Sequence, residues 1–368
     1  MKKIKLIHVT SSLQMGGAER TLFNIVKHLR DQFDQTVIYF NDGPFVQELQ
    51  DLGISVMHIK GFAFRYDPFF FWRLYKTLKQ QNPDVIHTLL WAANVSVRIC
   101  AKLLGIPFVT VYHNNVEQDG GIRSFIDTIT LRFGKKQIAV SEQVAQSLKK
   151  RTTWLPASNI EVITNGIEVP QLRRVIKRNE LGIDDNAFVI GAVGRFVPVK
   201  QFDFLLRSSA NVMKVHKHVY LLLVGTGILE QELRSLACQL DISDKVIFVV
   251  GKSAIDYYPL FDCFVQSSDK EGISIALLEA MHFSLPCIVM GHFYVHPVIT
   301  HGFDGFVCPV GNGSILEEYV KVIIEQQKHI LATIGDQAKK TICNQFEVKI
   351  MIHKYAILFK DLCKKNTK

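Results

Sequence analysis

Residues 5–20 read Lys5-Leu6-Ile7-His8-Val9-Thr10-Ser11-Ser12-Leu13-Gln14-Met15-Gly16-Gly17-Ala18-Glu19-Arg20. The apolar run Lys5–Thr10 gives way to a polar loop with paired glycines, and an amphipathic stretch, Ala18–Arg30, starts at once. A short strand that feeds a helix through a glycine loop is half of a βαβ unit. The pattern repeats outward. Strand-like runs follow at Thr36–Phe40, Val56–Ile59, Val85–Thr88, Phe108–His113 and Gln137–Val140, with amphipathic Phe69–Gln80 and Ala92–Leu104 between them. Asn41-Asp42-Gly43-Pro44, Asn82-Pro83-Asp84 and Gly105-Ile106-Pro107 are turn signals at the junctions. A second series runs through Phe188–Val193, Tyr220–Val224, Lys245–Val249, Cys263–Gln266, Cys287–Met290 and Gly305–Val307. This alternation predicts the α/β class, with parallel sheets covered by helices on both faces. The polar stretch Glu168–Asn186 separates the two series and reads as a linker. The expected architecture is two tandem Rossmann-like, doubly wound domains, 1–167 and 168–346, facing across a cleft. A C-terminal helix over about 347–368 is expected to pack back on the first. Ligands bind at the carboxyl ends of such strands, so the cleft is the expected site.

Composition agrees with two domains. The chain has 368 residues, 48% apolar and 21% charged, which excludes disorder as its main state. No run approaches the ~18 apolar residues of a membrane span. The start, Met1–Thr10, is basic and then apolar, but Lys5 and His8 interrupt it and no small-residue cleavage site follows. It reads as a strand and not as an export signal, so a cytoplasmic location is expected. The seven cysteines, at 100, 238, 263, 287, 308, 343 and 363, are widely spaced. They form neither a disulfide framework nor a Cys-type zinc site. The net charge of +9 is uneven: residues 1–170 hold 20 Lys and Arg against 14 Asp and Glu, and residues 171–368 hold 23 against 20. A basic first half suits an anionic partner, and also simply keeps a protein soluble.

Four stretches carry chemistry. Gly16 and Gly17 lie where a helix N-terminus offers free N–H groups to a phosphate, although an ordinary βα turn needs them equally. In Gly191-Ala192-Val193-Gly194-Arg195-Phe196-Val197-Pro198-Val199-Lys200 a strand ends in glycine, and two cations five residues apart follow. Arg195 and Lys200 together could neutralise a diphosphate. Gly225-Thr226-Gly227 opens like a dinucleotide fingerprint, but Glu230 stands where its third glycine belongs. It reads as a tight turn at the edge of a nucleotide site. The most informative stretch is Asp269-Lys270-Glu271-Gly272-Ile273-Ser274-Ile275-Ala276-Leu277-Leu278-Glu279-Ala280. At ~1.5 Å per residue, Glu271 and Glu279 are offset by roughly 12 Å along a helix axis, about the reach of a nucleotide sugar from hexose to ribose. The amides of Gly272, Ile273 and Ser274 would lie between, beside the diphosphate. Glu279 on an apolar face needs a partner, and ribose hydroxyls would supply one.

With these in view, the chain resembles the retaining, nucleotide-sugar-dependent glycosyltransferases of sequence family 4, which have the GT-B architecture. The resemblance spans nearly the whole chain. It rests on Gly16–Arg20, Asn82–His87, Ala139–Glu142, Asn165-Gly166-Ile167, Gly194-Arg195 with Lys200, Gly225–Gly227, the Glu271/Glu279 pair and His301–Phe306 in this order. It implies that Glu279 holds the donor ribose and Glu271 the transferred sugar. Arg195 and Lys200 would stabilise the leaving diphosphate, and Gly16 and Gly17 would let the first domain close on it. His113 matches the family's histidine near the reacting carbon. No metal and no cofactor are implied; the nucleotide sugar is a substrate, with a UDP-sugar preferred over a GDP-sugar. The implied reaction is transfer with retention to a glycan or lipid-linked acceptor, as in bacterial polysaccharide or lipopolysaccharide synthesis. The sequence departs from the family pattern at Gly291–Pro297, at Gln201 and at Ser274, where glycines are common. His292, His296 and His301 lack a carboxylate or Cys at helical spacing and are not read as a metal site. Alternatives are a nucleotide-sugar epimerase or phosphorylase of the same architecture, or a basic binding protein without activity.

Phe62-Ala63-Phe64-Arg65-Tyr66-Asp67-Pro68-Phe69-Phe70-Phe71-Trp72-Arg73-Leu74-Tyr75-Lys76 mixes aromatic and basic residues, as interfacial helices do. Phe70, Leu74 and Leu78 also fit one buried helix face. The expected partners are the donor, the acceptor and an anionic membrane surface at the inner face of the cytoplasmic membrane, with no nucleic acid.

Overall fold

The structure, a computed structural model, describes residues 3–61, 68–113, 121–134, 136–152, 154, 156, 159–169, 171–268, 273–291, 296–325 and 328–364. The chain divides into two compact units. The first comprises Met1–Gly166 and Val348–Lys368, and the second Ile167–Glu347.

The first unit contains β1 (Ile4–Thr10), α1 (Gly17–Leu29), β2 (Phe33–Tyr39), α2 (Phe45–Asp51), β3 (Ser55–His58), α3 (Pro68–Gln81), β4 (Val85–Leu89), α4 (Trp91–Leu104), β5 (Phe108–Tyr112), α5 (Gly121–Leu131), β6 (Lys136–Ala139), α6 (Glu142–Arg151) and β7 (Ile160–Val162). The second contains β8 (Phe188–Val193), α7 (Phe202–Val215), β9 (Val219–Val224), α8 (Glu230–Gln239), β10 (Val246–Val249), β11 (Cys263–Gln266), α9 (Ile275–His282), β12 (Cys287–Gly291), β13 (Phe306–Pro309), α10 (Gly313–Glu325) and α11 (Lys328–Gln345). The chain then returns to the first unit as α12 (Val348–Lys364).

Both sheets are parallel. Their strand orders are β3-β2-β1-β4-β5-β6-β7 and β10-β9-β8-β11-β12-β13. Each is doubly wound, and the order reverses between β1 and β4 and between β8 and β11, the crevices where such sheets take ligands. The central strands are buried on both faces and mostly apolar, with His8, Thr10, His87 and Thr88 as buried polar exceptions on β1 and β4. In β1, Leu6 joins a core with α1, α6 and α12, while Ile7 and Val9 join the opposite core with α3 and α4. In β8, Val189 faces the α9 and α11 side, while Ile190 and Ala192 face α7, α8 and α10. α1 buries Leu22, Ile25, Val26 and Leu29, an i, i+3, i+4, i+7 stripe.

Three readings change in detail. β7 has only three residues, too few to show a period, and the sequence pattern does not reveal it. Glu168–Asn186 is no free linker. Arg178 Nη2 meets Asp262 Oδ2 at 2.7 Å and donates to Leu260 O at 2.8 Å, and the Arg173 and Arg174 amides donate to Asp256 Oδ1 at 2.7 and 3.1 Å. These bonds hold the segment on the second unit. In α3, Phe70, Leu74 and Leu78 are buried, so one face of the aromatic stretch is ordinary core, while Phe69 and Trp72 are exposed. Residues 62–67 of that stretch lie outside the described residues.

Candidate active site

In the second unit, Gly194, Arg195, Lys200, Gly225 and Gly227 come together at the carboxyl ends of β8 and β9, the first of these strands flanking the crevice. Gly194 N–H donates to Val224 O at 3.0 Å, Phe196 N–H to Thr226 O at 2.8 Å, and Leu229 N–H back to Phe196 O at 3.0 Å. The two loops therefore lie backbone against backbone. A Cβ on Gly225 would fall 1.9 Å from Gly194 O, and one on Gly227 2.3 Å from Phe196 O. These glycines are required by loop-on-loop contact, whatever else they do for a ligand. Phe196 is buried, which leaves its neighbour Arg195 exposed. Lys200 is half-buried, and its stem lies over Gly194, with Cε 3.3 Å from where a Gly194 Cβ would sit. Ser267 Oγ donates to Lys200 O at 2.7 Å and ties this loop to the end of β11. Gln201 takes a left-handed conformation at φ 49°, ψ 42° as α7 begins. Glycine would take that geometry freely, and Gln201 carries strain there.

α9 begins just beyond β11, the neighbour of β8. Ser274 is its N-cap: its Oγ accepts from Leu277 N at 3.4 Å. Ile273 points into the core. Their backbone amides, not their side chains, are what this helix start can present to an anion. Glu271 and Gly272 lie outside the described residues. Glu279 is half-buried on α9, and its Oε2 is 2.9 Å from the hydroxyl of Tyr258, which is also 3.0 Å from Ala276 O. Burial, and then the Glu279 carboxylate, push the Tyr258 phenol well above its ordinary pKa, so it stays a neutral donor. The protein thus supplies a partner that sequence reasoning had assigned to ribose alone. Sequence reasoning also missed Gln266 and Ser268. Gln266 Oε1 and Ser268 Oγ are buried and have no hydrogen-bond partner among the described residues. The available signal was three polar residues, Gln266-Ser267-Ser268, closing an apolar strand.

In the first unit, Gly16 and Gly17 stand at the carboxyl end of β1, beside the other crevice. Gly16 is extended at φ −167°, ψ 165°, and a Cβ there would lie 2.4 Å from Glu19 Oε2. The Glu19 side chain folds back over the helix start, and a larger residue at position 16 would have to push its flexible carboxylate aside. Arg20 is engaged within the unit, 4.6 Å over the Phe45 ring and 3.8 Å from Glu48. His113 follows β5 directly. It is half-buried, and its Nε2 has no partner among the described residues. Burial lowers its pKa to about 4, so the ring is neutral near pH 7. Beneath this crevice, His8 Nδ1 lies 2.9 Å from His87 Nδ1, and His8 Nε2 lies 2.8 Å from Gln35 Oε1.

The histidines weighed as metal ligands have other work. His296 Nδ1 accepts from the amides of Val298 and Ile299, at 3.2 and 3.3 Å, and His301 Nδ1 accepts from Val307 N at 3.0 Å. His292 lies outside the described residues.

Two parallel Rossmann-like units, one with cations and paired glycine loops at its crevice, define a GT-B fold. Residues 15–170 match the family model described as Glycosyltransferase Family 4, and residues 174–341 match that of Glycosyl transferases group 1; the chain belongs to this glycosyltransferase family. It is 23% identical, over 98% of its length and 97% of the relative's, to the UDP-Gal:alpha-D-GlcNAc-diphosphoundecaprenol alpha-1,3-galactosyltransferase of Escherichia coli. It is 25% identical to the N-acetyl-alpha-D-glucosaminyl L-malate synthase of Bacillus anthracis, over 79% of this chain and 78% of that one. The fold matches Anabaena Alr3699/HepE, solved with UDP and glucose, at a TM-score of 0.86 and 22% identity, over 97% of this chain and 100% of that one.

Proposed function

We propose that the protein transfers a sugar from a UDP-sugar, with retention and without a metal ion, to a hydroxyl of a glycan or lipid-linked acceptor. The observation that carries this reading is the placement of Arg195 and Lys200 at the carboxyl end of β8, beside the start of α9. Charge develops on the departing diphosphate, and fixed cations with helix-start amides aimed there stabilise it as it forms. Arg195 and Lys200 hold the diphosphate, aided by the amides of Gly194, Gly272, Ile273 and Ser274. Gly225 and Gly227 keep the loops close enough to form its wall. Glu279, held by Tyr258, takes the ribose, Glu271 the transferred sugar, and Gln266 and Ser268 find their missing partners in the bound donor. Gly16, Gly17 and neutral His113 serve the acceptor side. The acceptor hydroxyl attacks the anomeric carbon as the bond to the diphosphate breaks, on the same face, and passes its proton to the departing diphosphate oxygen, so the anomeric configuration is kept.

The UDP-sugar is supported by UDP and glucose bound in Alr3699/HepE, and the lipid-linked acceptor by the name of the Escherichia coli relative. No helix among the described residues is long and apolar enough to cross a membrane. Our reading is of a cytoplasmic enzyme that meets its acceptor at the membrane's inner face, supported by the lipid-linked substrate named for the Escherichia coli relative. The test is a thermal-shift panel with UDP, GDP and ADP, followed by transfer assays with EDTA. A ligand that binds only the folded state raises Tm by mass action, so UDP should stand out. Transfer should persist in EDTA. Activity that dies in EDTA and returns with Mn²⁺ would overturn the metal-free mechanism, and a preference for GDP the donor.

A further inference from the structure

Helix α5 turns a partly polar face inward. Asp127 and Thr130 are 1% and 5% exposed, beside Leu131, which is fully buried in the core. Asp127 Oδ1 receives Nη1 of the fully buried Arg98 at 2.5 Å, and Arg98 also donates to Thr130 Oγ1 at 3.1 Å and to the Tyr112 hydroxyl. Arg151 of α6 approaches Asp127 Oδ2 at 3.5 Å. Its outward residues are apolar: Ile122, Phe125 and Ile129 are 70%, 66% and 43% exposed, and Phe133 just past the helix end is 37% exposed. The spacing i, i+3, i+7 places the first three on one stripe. Rotating that stripe inward would leave the Arg98 charge buried without its carboxylate, so the ion pair fixes which face looks out. A continuous apolar stripe held towards water marks an interaction surface.

The charge around the stripe indicates what covers it. Residues 121–154 hold seven Lys and Arg against two Asp and Glu, and one of those acids is the buried Asp127. Arg132 is exposed and lies 5.1 Å over the Trp154 ring, and Lys149 and Lys150 are exposed on α6. Arg151 and Lys136 are taken by Asp127 and Glu161, and Arg132, Lys149 and Lys150 are exposed cations of this segment. An apolar stripe in a net basic segment is the pattern of a helix that lies in a bilayer interface, and the cations fit anionic headgroups. We propose that the Ile122–Phe125–Ile129–Phe133 stripe of α5 docks the first unit on an anionic phospholipid surface. The inference deepens the proposed function and rests on its lipid-linked acceptor. It moves the contact from Phe62–Lys76, where the sequence suggested it, to a different helix.

The experiment is flotation of the full chain with vesicles of phosphatidylcholine alone and of phosphatidylcholine mixed with phosphatidylglycerol, at low and high salt, with no donor or acceptor present. The wild type should bind the anionic vesicles and lose part of that binding in high salt. The triple variant Ile122→Ser, Phe125→Ser, Ile129→Ser should partition about tenfold more weakly, with an unchanged circular dichroism spectrum and urea midpoint because the three side chains are exposed. Phe69→Ser with Trp72→Ser should have the smaller effect. Wild-type binding by the folded triple variant, a loss that follows Phe69 and Trp72 instead, or no binding to anionic vesicles would each overturn the proposal. So would a dimer in sedimentation velocity that the triple variant dissociates, because a second copy would then cover the stripe. Vesicle binding is read without turnover, so a failed transfer assay leaves the result standing, and a failed flotation leaves the glycosyl-transfer reading standing.

Discussion

The two units share one winding and use it for opposite purposes. Around its crevice the first unit puts polar groups inside: His8 against His87 and Gln35, and Arg98 against Asp127. The second puts Arg195 outside and Lys200 half outside, on loops clamped by glycines that admit no side chain. Buried polar groups hold a fold to one arrangement and are costly to disturb. An exposed cation such as Arg195 on a rigid loop adds little to stability. Stability should therefore be sensitive in the first unit, and catalysis sensitive in the second without loss of fold.

The largest effect should come from Asp127→Ala. Breaking a buried ion pair from one side leaves a buried charge and costs about 3–5 kcal/mol. Trp72, Trp91 and Trp154 all lie in the first unit, so tryptophan fluorescence in urea reads that unit selectively. The midpoint should drop sharply, while any Tm shift given by UDP to the second unit survives. An unmoved midpoint would break the contrast. Next in size is Lys200→Ala, or Arg195→Ala. Loss of one cation from the leaving diphosphate should cost on the order of 10² in kcat, roughly 2.7 kcal/mol of barrier, with the same urea midpoint. A variant that loses stability together with rate would show the loop to be structural.

Acid should separate the units more gradually. Burial lowers His8 to about 4 and, with His8 and His113 adding their repulsion, holds His87 well below its ordinary value. An unfolded chain protonates these rings near pH 6.5, so between there and pH 4 the unfolded state binds more protons. Stability should fall as pH is lowered through that window, by roughly 1.4 kcal/mol per pH unit for each imidazole. His113 adds to the first unit in the same direction, and His296, lowered to about 3, acts alike in the second. Urea midpoints by fluorescence at pH 7, 6 and 5 check this. A midpoint independent of pH would mean that the histidines are not buried neutral.

Sequence periodicity revealed the winding because the central strands are short, mostly apolar runs between amphipathic helices, although β1 and β4 of the first unit carry His8, Thr10, His87 and Thr88 inside. β7 stayed hidden because three residues carry no period. The candidate site was legible where charges interrupt apolar surroundings, as Arg195, Lys200 and Glu279 do. It was illegible where the partner is remote in sequence. Tyr258 lies in a short apolar turn and reaches Glu279 only through the tertiary fold, and Arg98 meets Asp127 across 29 positions. Gly225 and Gly227 were read as a ligand edge, and packing against Gly194 and Phe196 proves to require them independently. The exposed stripe of α5 was not read from the sequence at all, and a helical period would not have shown it, because it states that a face is apolar and not which way it turns.

The smallest effect tests whether Tyr258 works through Glu279. Its hydroxyl is buried, and its bond to Glu279 Oε2 is 2.9 Å long. Tyr258→Phe keeps the ring in its stack with Phe283, whose centroid is 5.4 Å away, and removes one donor, a loss of about 1 kcal/mol. If the hydroxyl holds the carboxylate in position for the donor, UDP binding should weaken about fivefold, and kcat at saturating donor should change less than the KM for donor. Glu279→Gln should weaken UDP and UDP-sugar binding further. The double variant should bind no worse than Glu279→Gln alone, because a hydroxyl that acts only through the carboxylate has nothing left to position once the carboxylate is gone. Calorimetric titration of UDP into the four proteins closes the cycle. Additive losses would sink the positioning role and leave Tyr258 as a core residue that happens to touch Glu279.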